Sequence, residues 1–175
     1  GFSYPRLPLN ELHGRAQLAA AVLGDDAYAI INQLEVPLPA ELETQYIRTF
    51  GHTMKQSYPA YEMEYDQGHV FMQSQSMAEL ASFYRTFGAQ AASGERLDHV
   101  ATELEFMYFL TYKEAHAVTS DTGQGAEVCR DGQRRFLEKH LGRWAPPFLR
   151  GLMSGAEGFY RPLAKATRSW LDMEI

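Results

Sequence analysis

Asp98 and His99 stand side by side in the stretch ERLDHVATELEFMYFL, residues 95–110, with Glu103 and Glu105 close behind them. An acid, an imidazole and two more carboxylates this close together have four chemical readings. His99 and Glu103 lie one helical turn apart and could give two metal ligands from one face, although nothing in the chain nominates a third or fourth. Acid–base chemistry gains little from the Asp98–His99 pairing, because adjacent residues on a helix do not face each other. A carboxylate beside an aromatic surface could dock a basic partner. Finally, Asp98 is a good N-cap, and its charge favours the positive helix end by about 0.5–2 kcal/mol. Residue types alone put the cap first and partner binding next.

The elements that must position these groups read as helices. Asn10 caps a helix carrying Leu12, Ala16, Ala19 and Leu23, and Asp25 or Asp26 caps the next, with Ile30, Ile31 and Leu34 inward. PLPAELETQYIRTFG begins with Pro39 in its first turn, sets Leu42, Tyr46 and Phe50 four apart, and stops at Gly51. SMAELASFYRTFG opens with Ser76 and Glu79 as a capping box and turns Met77, Leu80, Tyr84 and Phe87 inward. A long helix follows over about 98–117 with Val100, Leu104, Met107 and Leu110 as its core face, and another over about 126–144. Pro146-Pro147 restart the chain, and a last helix carries Tyr160, Leu163, Thr167 and Trp170, with Pro162 in its first turn or at a kink. The expected architecture is all-α: a single-domain bundle of six to eight helices over residues 1–175, without sheet or repeat.

One region breaks the pattern. HTMKQSYPAYEMEYDQGHVFMQSQ, residues 52–75, is longer than an idle connection, which rarely exceeds about 12–15 residues in a compact domain. It mixes Tyr58, Tyr61, Tyr65 and Phe71 with Glu62, Glu64 and Asp66. That composition suits either a packed plug on the core or a ligand-facing segment. The alternation of Tyr61, Met63 and Tyr65 would suit a short strand, but no partner strand is evident.

Composition narrows the function. With 175 residues and 45% apolar side chains, the chain has material for a sizeable core. A formal net charge of −6 argues against holding a nucleic-acid backbone. The single cysteine, Cys129, excludes an internal disulfide and a four-cysteine zinc site, suits a reducing cytoplasm, and reads as a buried apolar residue. No apolar run reaches the roughly 18–20 residues of a membrane span. The opening GFSYPRLPLNELHGR is not a secretory signal, and FSYP reads as the end of a helix whose start is missing. Di-iron Glu-x-x-His spacing, HExxH, phosphate-binding glycine loops and the GxSxG elbow are all absent. Arg135, Lys139 and Arg143, with Arg130 and Arg134, read as a solvated face eased by Asp131, or otherwise as the basic stripe of an adaptor.

The run YIRTFGHT … YPAYEMEY … MAELASFYRTFG … ERLDHVATELEFM … RRFLEKHLGRWAPPF … FYRPLAKAT resembles the TorD/DmsD/NarJ family of redox-enzyme maturation chaperones, from about Glu41 onward. Its most specific pieces are the aromatic pair Tyr46-x-x-x-Phe50 and the E-x-x-D-H of Glu95 to His99. The wording is most similar to the chaperones of type II dimethyl-sulfoxide-reductase-like molybdoenzymes. The resemblance implies an all-helical cytoplasmic protein that is not an enzyme and holds no cofactor of its own. It implies binding of the precursor of a molybdoenzyme catalytic subunit through its twin-arginine signal peptide, with delayed export and assisted cofactor insertion. By position, Tyr46 and Phe50 match the family's aromatic pair, and Asp98 and His99 its acid–histidine pair, both implicated in leader binding. Because such a leader is basic and then apolar, Glu62, Glu64 and Glu95 would join Asp98 in pairing guanidinium groups. Tyr61 and Tyr65 would join the apolar groove. Leu97 stands where the family usually has proline, and Thr49 where it has leucine. The family's first helix is absent or truncated, which would permit a homodimer by helix exchange. The alternative, from another class, is a small helical metalloenzyme or nucleotide hydrolase using His99 and Glu103.

Overall fold

A computed structural model of the chain describes residues 37–51, 58–66, 70–90, 95–120 and 123–175. The helices expected from Asn10 and from Asp25 or Asp26 lie outside them. Six helices are described: α1 (Pro39–Phe50), α2 (Val70–Thr86), α3 (Val100–Thr119), α4 (Gly123–Lys139), α5 (Leu141–Gly155) and α6 (Tyr160–Glu174). Among the described residues the chain is all-α. Its one β pairing there is an isolated bridge between Tyr61 and His99; beyond Tyr61 the chain turns into a 3-10 helix at Glu62–Glu64, so the short strand that the Tyr61–Tyr65 alternation would suit does not form.

The chain divides into two compact units, one containing α1 with residues from Pro146 to Glu174, the other running from Ala60 to Ala145. In the first unit, α1 starts with Pro39 at its N-terminus, where a missing N–H costs nothing. It stops at Phe50 because Gly51 turns into extended backbone so close to the Ile47 carbonyl that a Cβ would collide with it. Leu42 and Phe50 are buried as the spacing predicts, while Tyr46 is half-buried. The Phe50 ring meets Tyr160 edge-on at 5.0 Å and lies 6.5 Å from Phe148. Gln45 Oε1 accepts a hydrogen bond from the Phe159 backbone N–H at 2.8 Å, tying α1 to the start of α6. Pro162 falls in the first turn of α6, and that helix buries Tyr160, Ala164, Ala166 and Leu171. Leu163, Thr167 and Trp170 are only half-buried, so the inward face is rotated from the expected one.

The second unit is built on an aromatic core. Phe106 of α3 sits 4.5 Å from Tyr84 and 4.8 Å from Phe136, and Phe83 lies 5.4 Å from Phe136. Val100, Met107 and Leu110 are buried as expected, with Leu104 half-buried. Three local expectations are corrected. Ser76 and Glu79 do not cap α2, which begins at Val70: nothing in VFMQSQ breaks a helix, so the pattern is absorbed into its interior. The helix expected over 126–144 ends at Lys139, and a new one begins at Leu141 after a turn at His140, whose side chain is engaged by Glu62. Consequently Pro146 and Pro147 lie inside α5 rather than restarting the chain; neither ring can donate the backbone bond that an ordinary residue would. Cys129 is buried, and Asp131 pairs with both Arg134 and Arg135, as the sequence suggests.

Gly132 in α4 gives room to the Phe87 ring, against which a Cβ would collide, whereas Gly123 at the start of the same helix faces open space. Alanine gains about 1 kcal/mol of helix propensity over glycine, but overpacking a fitted ring costs about 1–3 kcal/mol. Gly132→Ala is therefore expected to lower the melting temperature and Gly123→Ala to hold or raise it. Equal melts for the two variants would show that the Phe87 ring is not confined.

Candidate functional site

The E-x-x-D-H segment and the aromatic-acidic segment are stapled together within the second unit. Val100 N–H donates to the Ala60 carbonyl at 2.9 Å and Glu62 N–H to the Asp98 carbonyl at 2.8 Å, flanking the Tyr61–His99 bridge. The segment read as a packed plug or a ligand-facing stretch is, over Tyr58 to Asp66, an extended entry into a 3-10 turn at Glu62–Glu64, with Met63 buried. Gln73 of α2 holds that turn from the other side, donating to the Met63 carbonyl at 3.2 Å.

His99, not Asp98, caps α3: its Nδ1 accepts from the Ala101 N–H at 3.2 Å. A ring accepting at Nδ1 carries its neutral-state proton on Nε2. Burial lowers the His99 pKa, against the opposing charges of Asp98 and Glu95, and so favours that neutral form. Asp98 is displaced from the cap because its carboxylate is drawn inward. It is fully buried and receives the Arg96 guanidinium as a fork, Nε to Oδ1 at 2.9 Å and Nη2 to Oδ2 at 2.7 Å. Met63 N–H makes a longer contact to Oδ2 at 3.4 Å. The same guanidinium lies 4.1 Å from the centre of the Tyr61 ring, which meets His99 edge-on at 5.1 Å. Asp98, Arg96, Tyr61 and His99 thus form one stacked cluster.

The other acids divide by environment. Glu62 is buried against His140, with Nδ1 3.1 Å from its Oε1. Glu103 is fully buried and accepts from the Trp144 indole N–H at 3.0 Å. Burial, and then the neighbouring charge of Glu62, push its pKa well above the usual carboxylate range. Glu64 and Glu95 face solvent. Tyr65 is half-buried 5.5 Å from Trp144, and burial pushes its phenol up to about 12. In the other unit, the Tyr46 ring lies tilted 5.2 Å from that of Phe50, which is a core residue there.

Three partners escaped the sequence reading: Arg96, His140 and Trp144. Arg96 left the trace of a guanidinium two residues from an acid in a turn, while His140 and Trp144 reach across the fold and leave none. The alternative metal reading loses its second ligand, since Glu103 is fully buried on the Trp144 indole, while His99 has its Nδ1 occupied by the Ala101 N–H. Among the described residues no group of three or more histidine, cysteine or acidic side chains converges as metal ligands. No helix described is long and apolar enough to cross a membrane.

The chain is similar to three curated assembly chaperones over part of its length. It is 44% identical over 78 residues to the selenate reductase assembly chaperone protein of Thauera selenatis, covering 43% of this chain and 39% of that one. It is 44% identical over 70 residues to the perchlorate reductase assembly chaperone protein of Dechloromonas aromatica (strain RCB), covering 39% of this chain and 30% of that one. It is 40% identical over 74 residues to the chlorate reductase assembly chaperone protein of Ideonella dechloratans, covering 41% and 37%. The matches thus span well under half the length of these relatives. The nitrate reductase delta subunit family model matches residues 11–150, most of the chain. The chain belongs to the nitrate reductase delta subunit family, in agreement with the TorD/DmsD/NarJ resemblance of its motifs.

Proposed function

We propose that this protein is an assembly chaperone, not an enzyme, that acts in the cytoplasm on the precursor of a molybdenum-enzyme catalytic subunit of the dimethyl sulfoxide reductase family. It would bind the precursor and its twin-arginine leader, delay export and assist cofactor insertion. The observation that carries the reading is the family match over residues 11–150, together with relatives that are named as assembly chaperones.

The site supports a division of labour among the residues nominated for leader binding. Glu64, Glu95, Tyr61, Tyr65 and His99 retain exposed surface and are proposed to touch the client, as is Tyr46 in the other unit. Asp98, Glu62 and Phe50 are buried on internal partners and are proposed to position those contact residues from behind. Affinity capture from the native host grown anaerobically tests the reading. The expected result is recovery of a large molybdenum-enzyme subunit with its leader uncut. Recovery of nothing above background, from cells shown to hold the unprocessed enzyme, would overturn it.

A further inference from the structure

Glu62 and His140, 78 positions apart in sequence, are both buried behind residues proposed to meet the client. The ring's Nδ1 lies 3.1 Å from Oε1 and 3.2 Å from Oε2, and among the described residues nothing else pairs with or donates to that carboxylate. One imidazole therefore compensates the buried acid. The titratable groups that face it from other elements become negative on losing a proton: Glu103 of α3 and Tyr84 of α2 both feel the Glu62 charge. Asp98 shares that interior, but Arg96 takes up its charge. On the turn itself Glu64 is exposed and Tyr65 packs near Trp144, while Lys139 and Arg143, which flank His140, are exposed. Phe83 and Phe136 lie 5.9 and 5.3 Å from the His140 ring centre to centre, and aromatic rings within about 6 Å favour a cation.

The pair decides how the 3-10 turn is held. Its entry is fixed by the backbone bonds from Val100 N–H to the Ala60 carbonyl and from Glu62 N–H to the Asp98 carbonyl. Beyond Glu62 the turn relies on side chains: His140 on Glu62, Gln73 on the Met63 carbonyl, and the long contact of Met63 N–H to Asp98. On the opposite side, His140 closes α4 by donating its N–H to the Phe136 carbonyl and opens α5 by accepting from the Arg143 N–H, both at 2.9 Å. Imidazole ordinarily changes charge between about pH 5 and 8. A charged ring gives Glu62 a charge-assisted bond and a neutral ring only an ordinary N–H, so the closed arrangement favours the bound proton. By linkage, opening must then increase as pH rises.

We propose that Glu62 and His140 form a pH-sensitive clasp: closed, it sets the Met63–Tyr65 turn and with it the Glu64 and Tyr65 surface offered to the client, and rising pH releases it. The effect on the client rests on the chaperone reading; the clasp itself does not. The test is amide hydrogen exchange followed by NMR, with the His140 ring nitrogens observed in the same samples from about pH 5.5 to about 9. After correction for the intrinsic pH dependence of exchange, opening at the Met63, Glu64 and Tyr65 amides is expected to rise about fivefold or more as the ring loses its proton, while the Val100 amide does not follow. Glu103→Gln, which removes the titration of the neighbouring acid, should keep that rise. His140→Asn, which leaves a neutral donor in place of Nδ1, should abolish it and stay open at the alkaline level. A wild-type ring that holds one protonation state throughout, or a rise that persists in His140→Asn, overturns the clasp. Capture of the enzyme precursor at about pH 6.5 and about pH 8.5 reads the regulation, with weaker alkaline capture expected for wild type and no such difference for His140→Asn. Equal capture by wild type at both values overturns the regulation and leaves the chaperone reading standing. Capture at neither value overturns the chaperone reading and the regulation with it, while the exchange result still decides the clasp.

Discussion

Arg96→Ala is expected to destabilise the fold by about 3 kcal/mol, although its side chain is 50% exposed and would pass for an ordinary surface residue. The reason lies in its partner. Asp98 is fully buried, and once the guanidinium is gone its carboxylate keeps only a long contact from the Met63 N–H. An uncompensated buried carboxylate is the expensive half of a broken pair. Asp98→Ala leaves the opposite half: an arginine that can turn into water and a Met63 N–H without its acceptor. That should cost somewhat less, about 2 kcal/mol. Urea unfolding of both variants checks the order. A surface-like effect for Arg96→Ala, within about 0.5 kcal/mol of wild type, would remove the internal pair from the account. The same two variants separate positioning from direct contact in client binding. If Asp98 grips a client cation itself, Arg96→Ala frees the carboxylate and should strengthen binding. If Asp98 acts by holding Tyr61 and His99 in place, both variants weaken binding together, and that is the expected outcome.

This pair also marks where the sequence was legible. Helical class and the inward faces of α1, α2 and α3 followed from spacing because Leu42, Phe50, Leu80, Tyr84, Val100, Met107 and Leu110 had only apolar burial to satisfy. The site was legible in its residues but not in its wiring. Asp98 has good capping chemistry, yet a buried fork to Arg96 outweighs one N-terminal hydrogen bond, and His99 takes the cap one residue later. The break between α4 and α5 at His140 carries no local signal, since its partner Glu62 is 78 positions away. Glu103 lay on an expected core helix among apolar residues, but no spacing rule says whether such an acid turns outward or finds an indole inside.

Glu103 supplies the second large effect. Its carboxyl is fully enclosed, with the Trp144 N–H lowering its pKa less than burial and the charge of Glu62 raise it. The folded state therefore holds its proton above the ordinary value of 4.5, where the unfolded chain has released it. With more protons bound folded than unfolded, stability falls as pH rises from that value toward the folded pKa, by up to about 1.4 kcal/mol per pH unit. Glu103→Gln keeps the volume and the carbonyl that accepts from Trp144 but has no proton to lose. Its unfolding free energy should thus gain on wild type as pH rises from about 5 to about 8, with the two nearest at the acid end. Glu103→Ala is the contrasting case: it opens a cavity and orphans the Trp144 N–H, and should cost about 2–4 kcal/mol even at acid pH. Chemical denaturation of the three proteins across that range distinguishes the alternatives. Parallel curves for wild type and Glu103→Gln would mean that the buried acid is ionised in the fold, held by a partner stronger than one indole.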